Sequence, residues 1–189
     1  MPWPEEQRDH TRQRILDSAA RLFALHGFDA ISLDDLMADA GLTRGAFYHH
    51  FRTKTELYGE AIIHAGKAGS AYLDTLGDAG LALLVEHYLR VSHCEGENLR
   101  CPLAFMATDV THREQKIRRS YTRTFEAFVK RLQAGLAGAS PRVRERAFQL
   151  AATLIGGVAI ARALDDPELA QELLAACREG GQALVDEGS

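Results

Sequence analysis

The sequence lacks any apolar run long enough to cross a membrane, and this excludes a first broad class of proteins. A membrane-spanning helix needs about 18 or more consecutive apolar residues. The best candidate, residues 150–161, is shorter and contains Gly156 and Gly157. The first six residues are polar and acidic, whereas a signal peptide begins with basic residues and an apolar run. We therefore expect a cytoplasmic protein that does not bind a membrane.

Cysteine is scarce, and so are the alternating β-branched runs that indicate strands. Cys94, Cys101 and Cys177 are an odd number of cysteines without a paired framework, which suits a reducing compartment and leaves the thiols free. The sequence has no phosphate-binding loop, nucleophile elbow or metal-ligand spacing. We therefore expect an all-α protein without a catalytic residue, a metal ion or a cofactor.

Neither sign of charge dominates the chain, but the charges are unevenly distributed. The formal net charge of -4 would argue against nucleic acid as a partner, because basic residues drive binding to phosphates. Residues 41–55 nevertheless contain Arg44, Arg52, Lys54 and two histidines, but no acidic residue. One short segment is therefore locally basic.

Apolar spacing and capping signals predict about nine helices. Apolar residues recur every three or four positions between residues 5 and 27, and Gly27 is placed to end this first helix. Ser32, followed three residues later by an acid, resembles a capping box for a second helix that ends at Gly41. A third helix is predicted over residues 43–50.

The predicted helices of the remaining chain begin with equally clear signals. Thr53 and Glu56 form a capping box for a long helix to about residue 76. The other predicted helices are residues 81–94, a short helix from Pro102, residues 111–136 with Thr111 as N-cap, a helix that begins at Ser140–Pro141, and a last helix from Asp166–Pro167 to about Val185. We expect two domains, residues 1–53 and residues 54–189.

Two short helices joined by residues 40–43 have the dimensions of a helix-turn-helix, whose second helix lies in the major groove of DNA. The small side chains of Gly45 and Ala46 would allow its backbone to approach base edges. Phe47 and Phe51, four positions apart, should turn inward onto the first helix. The polar residues left on the DNA side would be Arg44, Tyr48 and His49.

Three segments closely resemble the N-terminal DNA-binding domain of the TetR family of transcriptional regulators. They are residues 14–23 (RILDSAARLF), 26–36 (HGFDAISLDDL) and 40–57 (AGLTRGAFYHHFRTKTEL). They contain, in order, the first helix, the capping serine, the turn, a Tyr-x-His-Phe element and the lysine that follows it. The resemblance implies a three-helix head followed by a helical regulatory and dimerisation domain. It also implies a homodimeric repressor that binds double-stranded operator DNA and is released by a small-molecule effector.

The resemblance also implies roles for single positions. Thr43, Tyr48, His50 and Lys54 correspond to residues that contact phosphates, and Arg44, Gly45 and Ala46 to residues that face bases. An arginine can make a bidentate contact to guanine, so Arg44 is the sharpest of these predictions. His49 and His50 could equally be solvated side chains, and Tyr48 a packing aromatic.

One helix-turn-helix covers only one half-site, so we expect a dimer. The last two predicted helices carry apolar stripes that could form a four-helix interface with a second copy. Its candidate residues are Leu154, Val158, Ala161, Leu169 and Leu173. The alternative is that these stripes fill the core of a single chain.

The effector domain carries weaker signals. Five aromatic or polar residues could line an apolar cavity, or could be ordinary core residues: Tyr72, His87, Phe105, Tyr121 and Phe125. Cys101 is predicted to cap the helix at Pro102 beside Arg100, where the helix dipole and the positive charge would favour a thiolate. A repressor regulated by modification of Cys101 by an electrophile or oxidant is therefore an alternative, with Cys94 as a resolving thiol.

Three other functions remain open at this point. A metal sensor would have to use His87, His93, Cys94 and Cys101, which have no convincing zinc pattern. An enzyme with a DNA-binding head would need a nucleophile and a base, and no such signature is present. A constitutive architectural or activator protein would bind DNA identically whatever metabolite is added.

Overall fold

Helices account for all of the regular structure in the part of the chain that is described. The computed structural model describes residues 5–75, 80–94, 101–136 and 142–187. Its helices are α1 (Glu5–His26), α2 (Leu33–Asp39), α3 (Arg44–Tyr48), α4 (Lys54–Asp74), α5 (Gly80–Tyr88), α6 (Val91–Cys94), α7 (Pro102–Phe105), α8 (Ala107–Thr111), α9 (Gln115–Gly135), α10 (Val143–Ala161) and α11 (Pro167–Asp186). The prediction of an all-α fold is confirmed. Within the described residues, no helix combines the length and the apolar character that a bilayer span requires.

Three of the predicted helix starts are confirmed by their capping bonds. The Ser32 hydroxyl accepts from the Asp35 amide at 3.1 Å, and the Asp35 carboxylate accepts from the Ser32 amide at 2.8 Å. The Thr53 hydroxyl accepts from the Glu56 amide at 3.0 Å, although the Glu56 carboxylate accepts from the amide of Arg52 instead of Thr53. Asp166 caps α11, with Pro167 at its first turn.

Two predicted boundaries are wrong. Thr111 does not cap a helix: it is the last residue of α8, its hydroxyl donates to the carbonyl of Thr108 at 2.6 Å, and α9 begins only after Glu114. The single helix predicted over residues 81–94 is divided into α5 and α6. Together with the separation of α8 from α7, this raises the count from about nine to eleven helices in the described residues. The predicted start at Ser140–Pro141 lies outside these residues.

Helix α4 is the central element of the fold. It packs against α1 in the N-terminal head and against α9 in the C-terminal part, while α10 packs against α9 and α11. Gly66 allows the close approach of α4 and α9, because a Cβ atom there would lie 2.5 Å from Cγ2 of Thr124. Buried apolar residues continue from the head into the C-terminal bundle. The division at residue 53 therefore does not interrupt the core, and the two-domain boundary stays a prediction.

Candidate nucleic-acid interface and effector cavity

Helix α1 holds the end of α2 and the following turn. Arg14 Nη2 donates to the carbonyl of Ala40 at 2.6 Å, and the Ser18 hydroxyl donates to the carbonyl of Leu36 at 3.1 Å. Arg21 pairs with Asp39 at the last residue of α2. Gly41 has φ +63°, and a Cβ atom there would lie 2.9 Å from Arg14 Nη2. The turn therefore requires glycine for two reasons, and its geometry fixes where α3 begins.

Helix α3 has one buried face and one exposed face, as predicted. Phe47 is completely buried and stacks against Phe51 with ring centroids 5.8 Å apart. Tyr48 is 58% exposed, and Arg44, Gly45 and His49 are also exposed. Thr43 is the N-cap of α3, but its side chain makes no capping bond. The exposed face therefore carries hydrogen-bond donors on a helix held by a rigid apolar core.

Arg44 is held on this surface by a weak ion pair. Its Nη1 lies 3.2 Å from Asp34 Oδ2, and more than half of each side chain is exposed. A hydrogen bond with Tyr48 and the charge of Asp34 raise the pKa of Arg44. Exposed pairs of this kind contribute little to stability. Arg44 can therefore exchange Asp34 for another acceptor at low cost.

His50 and Lys54 are less accessible than the other predicted DNA contacts. Burial and the positive charges of Arg8 and Arg12 lower the pKa of His50, which favours the neutral ring at pH 7. The Lys54 ammonium donates to the carbonyl of Phe28 and lies 4.2 Å from the centre of the Phe28 ring. Lys54 thus points toward the head itself, and only its remaining N–H donors are available to a phosphate.

Polar and aromatic side chains join the head to the C-terminal bundle. We define the junction cluster by five residues: Phe28, Asp29, Tyr58, Asp109 and Arg113. Arg113 Nη2 lies 2.6 Å from Asp29 Oδ2 and 2.7 Å from Asp109 Oδ1. The Tyr58 hydroxyl donates to Asp109, and the Arg113 guanidinium lies 4.7 Å from the centre of the Phe28 ring. Arg113 and Asp29 are 84 positions apart, so no local sequence pattern indicated this contact.

The rigid turn and the exposed donor face define a helix-turn-helix DNA-binding head. A family model for bacterial regulatory proteins of the tetR family matches residues 15–61. The N-terminal head is therefore similar to the DNA-binding domain of TetR-family regulators, as the resemblance predicted.

Two relatives match only part of the chain. The chain is 34% identical over 90 residues to the transposon Tn10 TetC protein of Escherichia coli, a match that covers 45% of this chain and 46% of that protein. It is 44% identical over 50 residues to the probable acrEF/envCD operon repressor of E. coli K12, over 26% of this chain and 23% of that protein. The chain thus spans less than half the length of either relative in these matches.

Solved structures extend the similarity in fold to nearly the whole chain. A TetR-family regulator from Cytophaga hutchinsonii has a TM-score of 0.79 at 20% identity, and the match covers 97% of this chain and 96% of that one. Because the identity is low, this likeness supports the fold alone. The C-terminal part therefore shares the helical arrangement of that solved structure.

An apolar cavity of about 360 Å³ lies in the C-terminal bundle. Its walls come from the C-terminal half of α4, from α5, from the start of α7 and from α9. Among the predicted effector residues, Tyr72 and Cys101 line it. Tyr88 also lines the cavity, and its hydroxyl is buried beside the Cys101 thiol, which is a weak acceptor. This hydroxyl has no nitrogen or oxygen partner among the described residues.

The other predicted effector residues do not line this cavity and have different contacts. His87 Nδ1 bonds to the Tyr72 hydroxyl at 2.9 Å, beside the cavity. The Tyr121 hydroxyl donates to the carbonyl of Leu103 at 2.6 Å, and Phe125 stacks on Phe148. The guanidinium carbon of Arg162 lies 3.7 Å from the centre of the Phe105 ring. Cys94 lines a separate cleft near α10 and α11. The cavity prediction is therefore corrected for His87, Phe105, Tyr121 and Phe125, and the role of Cys94 as a resolving thiol stays a prediction.

The prediction that the environment favours a Cys101 thiolate is wrong. Burial raises the pKa of Cys101, and this effect exceeds the opposing influence of the nearby Tyr88 hydroxyl and of the amides of Leu103 and Ala104. Arg100, the cation on which part of the prediction rested, lies outside the described residues. Cys101 is the N-cap of α7, but its side chain makes no capping bond.

The predicted dimer residues divide into two groups. Leu154 and Val158 are completely buried and Ala161 is 7% exposed within the single chain. Leu154 and Val158 are core residues that a second copy could not contact directly, so their assignment to an interface is corrected, whereas that of Ala161 stays a prediction. Leu169 is 47% exposed and Leu173 is partly buried, so these two keep surface available to a partner.

Proposed function

We propose that this protein is a TetR-type transcriptional repressor that binds a palindromic operator as a homodimer and is released by a small molecule. The continuity of α4 is the observation that carries this proposal. Lys54 and Tyr58, in its first turns, contact the head and the junction cluster. Residues 63–73 of the same helix form a wall of the cavity. A ligand in the cavity therefore contacts the helix that positions the head, and it can favour one head orientation over another.

In this proposal the exposed face of α3 enters the major groove. Arg44, Gly45 and Ala46 face bases, and Thr43, Tyr48, His50 and Lys54 contact phosphates, while His49 lies at the edge of the contact. The proposal assigns no catalytic step to the chain. It places the protein in the cytoplasm, where its DNA is accessible.

The dimer is proposed from the exposed apolar residues near the C-terminal helices. Leu169 of α11 and Ile160 of α10, which is 52% exposed, are large apolar side chains on the surface of the single chain. A second copy packed on this surface would bury them and would hold two heads at a fixed separation. A palindromic operator with two half-sites requires such an arrangement.

The first prediction concerns Arg44 and DNA binding. In gel shifts on the DNA upstream of the protein's own gene, Arg44→Ala should weaken binding by about tenfold to a hundredfold, the loss of one bidentate base contact. Arg119→Ala removes the same charge from an exposed site on α9 and should leave the affinity nearly unchanged. Substituting each operator position in turn should reveal one base pair to which the wild type is sensitive and Arg44→Ala is not.

The gel shift also tests the repressor proposal itself. Failure of the wild-type protein to retard this DNA or any fragment selected from a random library would contradict DNA binding. Equal weakening by Arg44→Ala and Arg119→Ala would show that only net charge matters, and it would remove Arg44 from the base contacts.

Regulation by modification of Cys101 is a second candidate, because this thiol lies in the wall of the cavity. An adduct on its sulfur would occupy the space that we assign to a ligand. The raised pKa makes such a reaction slow, since the thiolate is the reactive form.

We expect Cys101 to be a slow nucleophile in the folded protein. In a Cys94→Ser/Cys177→Ser variant, alkylation by iodoacetamide at pH 7 should be several-fold slower in the native state than in urea. The native rate should rise steeply with pH, because the raised pKa leaves the thiol protonated at neutral pH. A native rate equal to or above the rate in urea would contradict this prediction and favour thiol sensing.

A further inference from the structure

We propose that the cavity binds an amphipathic carboxylate, with its apolar body inside and its carboxylate at the rim. The inference rests on the proposed function, in which this cavity receives the effector. Most of the cavity surface is apolar, with walls that include Leu73, Leu84, Leu103 and Phe128. A volume of about 360 Å³ is at the small end of the range of roughly 300 to 1,000 Å³ that is typical of ligand pockets. These walls select a compact apolar group.

All the charged side chains that line the cavity are positive. They are Lys67, Arg123 and Arg131, and none of the described lining residues is acidic. Lys67 and Arg123 are exposed and Arg131 is partly buried, which places this charge at the rim. Three cations around the opening of an apolar cavity produce a positive potential there, which solvent screens at the exposed Lys67 and Arg123 but less at the partly buried Arg131. An anionic group at this position would be stabilised there.

Arg131 has donor capacity that the protein does not use. Its Nη2 lies 2.7 Å from Asp74 Oδ1, so one edge of its guanidinium is paired. Its Nε is buried and has no hydrogen-bond partner among the described residues. A carboxylate at the rim could accept from the guanidinium N–H donors that Asp74 does not occupy, and two carboxylate oxygens suit the planar fork of an arginine.

The same features disfavour other ligand classes. A lipophilic cation would bring a positive charge to three cations, and no acidic side chain of the described lining could neutralise it. A neutral apolar molecule would fill the walls but would make no ionic contact with Lys67, Arg123 or Arg131 at the rim. Only an anionic head group combined with an apolar body uses both parts of the cavity.

Isothermal titration calorimetry of the full-length protein tests this choice without DNA. Three probes share one alkyl chain and differ only in the head group: decanoate, decan-1-ol and decyltrimethylammonium. We expect decanoate to bind at least tenfold more tightly than the cation, and more tightly than the alcohol. Tighter or equal binding of decyltrimethylammonium would overturn the proposal.

A double variant then tests the rim cations. Arg123→Gln/Arg131→Gln should weaken decanoate binding by about tenfold or more, the scale of losing a charge-assisted contact, and should leave the affinity for decan-1-ol nearly unchanged. The matched control is Arg119→Gln/Lys130→Gln, which removes two exposed charges from the same helix outside the cavity. Binding of decan-1-ol shows that each variant keeps a formed cavity.

The outcomes separate this inference from the proposed function. If the double variant binds decanoate as the wild type does, or if both double variants weaken it equally, the rim does not select the carboxylate and the inference fails. This result would leave operator binding in the gel shift untouched. If decanoate is selected through the rim while the protein retards no DNA, the inference holds and the proposed function fails.

Discussion

Replacing Phe47 by alanine should lower the free energy of unfolding by about 3 to 5 kcal/mol and remove operator binding. The Phe47 ring is fully buried in the head, and it contacts the rings of both Tyr48 and Phe51. Its loss would leave a cavity directly behind α3, a helix of only five residues that depends on packing for its stability. Urea unfolding followed by circular dichroism, together with the gel shift, measures both effects.

The control for this prediction is made at the same position. Phe47→Leu leaves a smaller cavity and should cost clearly less stability than Phe47→Ala. Operator affinity should follow the same order, because no atom of Phe47 is available to DNA. If the Phe47→Ala variant has the same urea midpoint of unfolding as the wild type, the ring does not stabilise the head.

Acidification should destabilise the protein through His93 before the carboxylates are protonated. His93 is 6% exposed and lies against the rings of Tyr88 and Phe105. Burial, with a smaller effect from Arg162, lowers the pKa of His93 to about 4, from an ordinary value of 6.5. The neutral ring is thus favoured in the folded state.

Because the pKa of His93 is lower in the folded state than in the unfolded state, acid lowers the free energy of unfolding. Above pH 6.5 the ring is neutral in both states, so the contribution of His93 to stability is fully present. Between pH 6.5 and 4 the unfolded chain binds a proton that the folded chain does not, and stability decreases by about 3 kcal/mol. Asp29, Asp35 and Asp39, whose pKa values are lowered from 3.8 by hydrogen bonds, act only at still lower pH.

Urea unfolding at pH 7 and at pH 4.5 measures this loss. His93→Gln removes the titrating group and should reduce the difference in stability between the two pH values. His112→Gln, at an exposed position, should show the same pH dependence as the wild type. An unchanged pH dependence in His93→Gln would show that the buried imidazole is not the source.

Local signals in the sequence were sufficient for most of the fold. Ser32, Thr53 and Asp166 each bring a side-chain acceptor to free backbone amides, and this interaction needs only the next three residues. Thr111 has the same pattern, but it is the last residue of α8 and its hydroxyl donates to the carbonyl of Thr108. The local signal therefore does not start a helix there. The break between α5 and α6 likewise has no glycine or proline that would indicate it.

The candidate site was predictable only in part, because much of it depends on contacts between residues that are distant in the sequence. The inward face of α3 follows from the spacing of Phe47 and Phe51, which the structure confirms. The cavity is formed by four separate elements, so its lining depends on how they pack together. Phe105 and Phe125 were plausible lining residues by chemistry, yet both pack elsewhere. Arg131, which is central to the ligand inference, has no distinguishing neighbours in the sequence.

The junction cluster gives the protein a sensitivity to its ionic surroundings that is separate from its attraction to DNA. Arg113 is largely shielded, but its partner Asp29 on the head has a side chain that is 78% exposed. Dissolved ions screen such a pair, whereas the Arg113 contact with Asp109, in which both side chains are mostly buried, is screened less. Concentrated salt should therefore weaken the pair between Asp29 and Arg113, while the pair between Arg113 and Asp109 and the apolar core shared by head and bundle stay in place. If the protein is the ligand-released repressor that we propose, a rise in cellular salt would then weaken both its binding to DNA and the coupling between the effector cavity and the head.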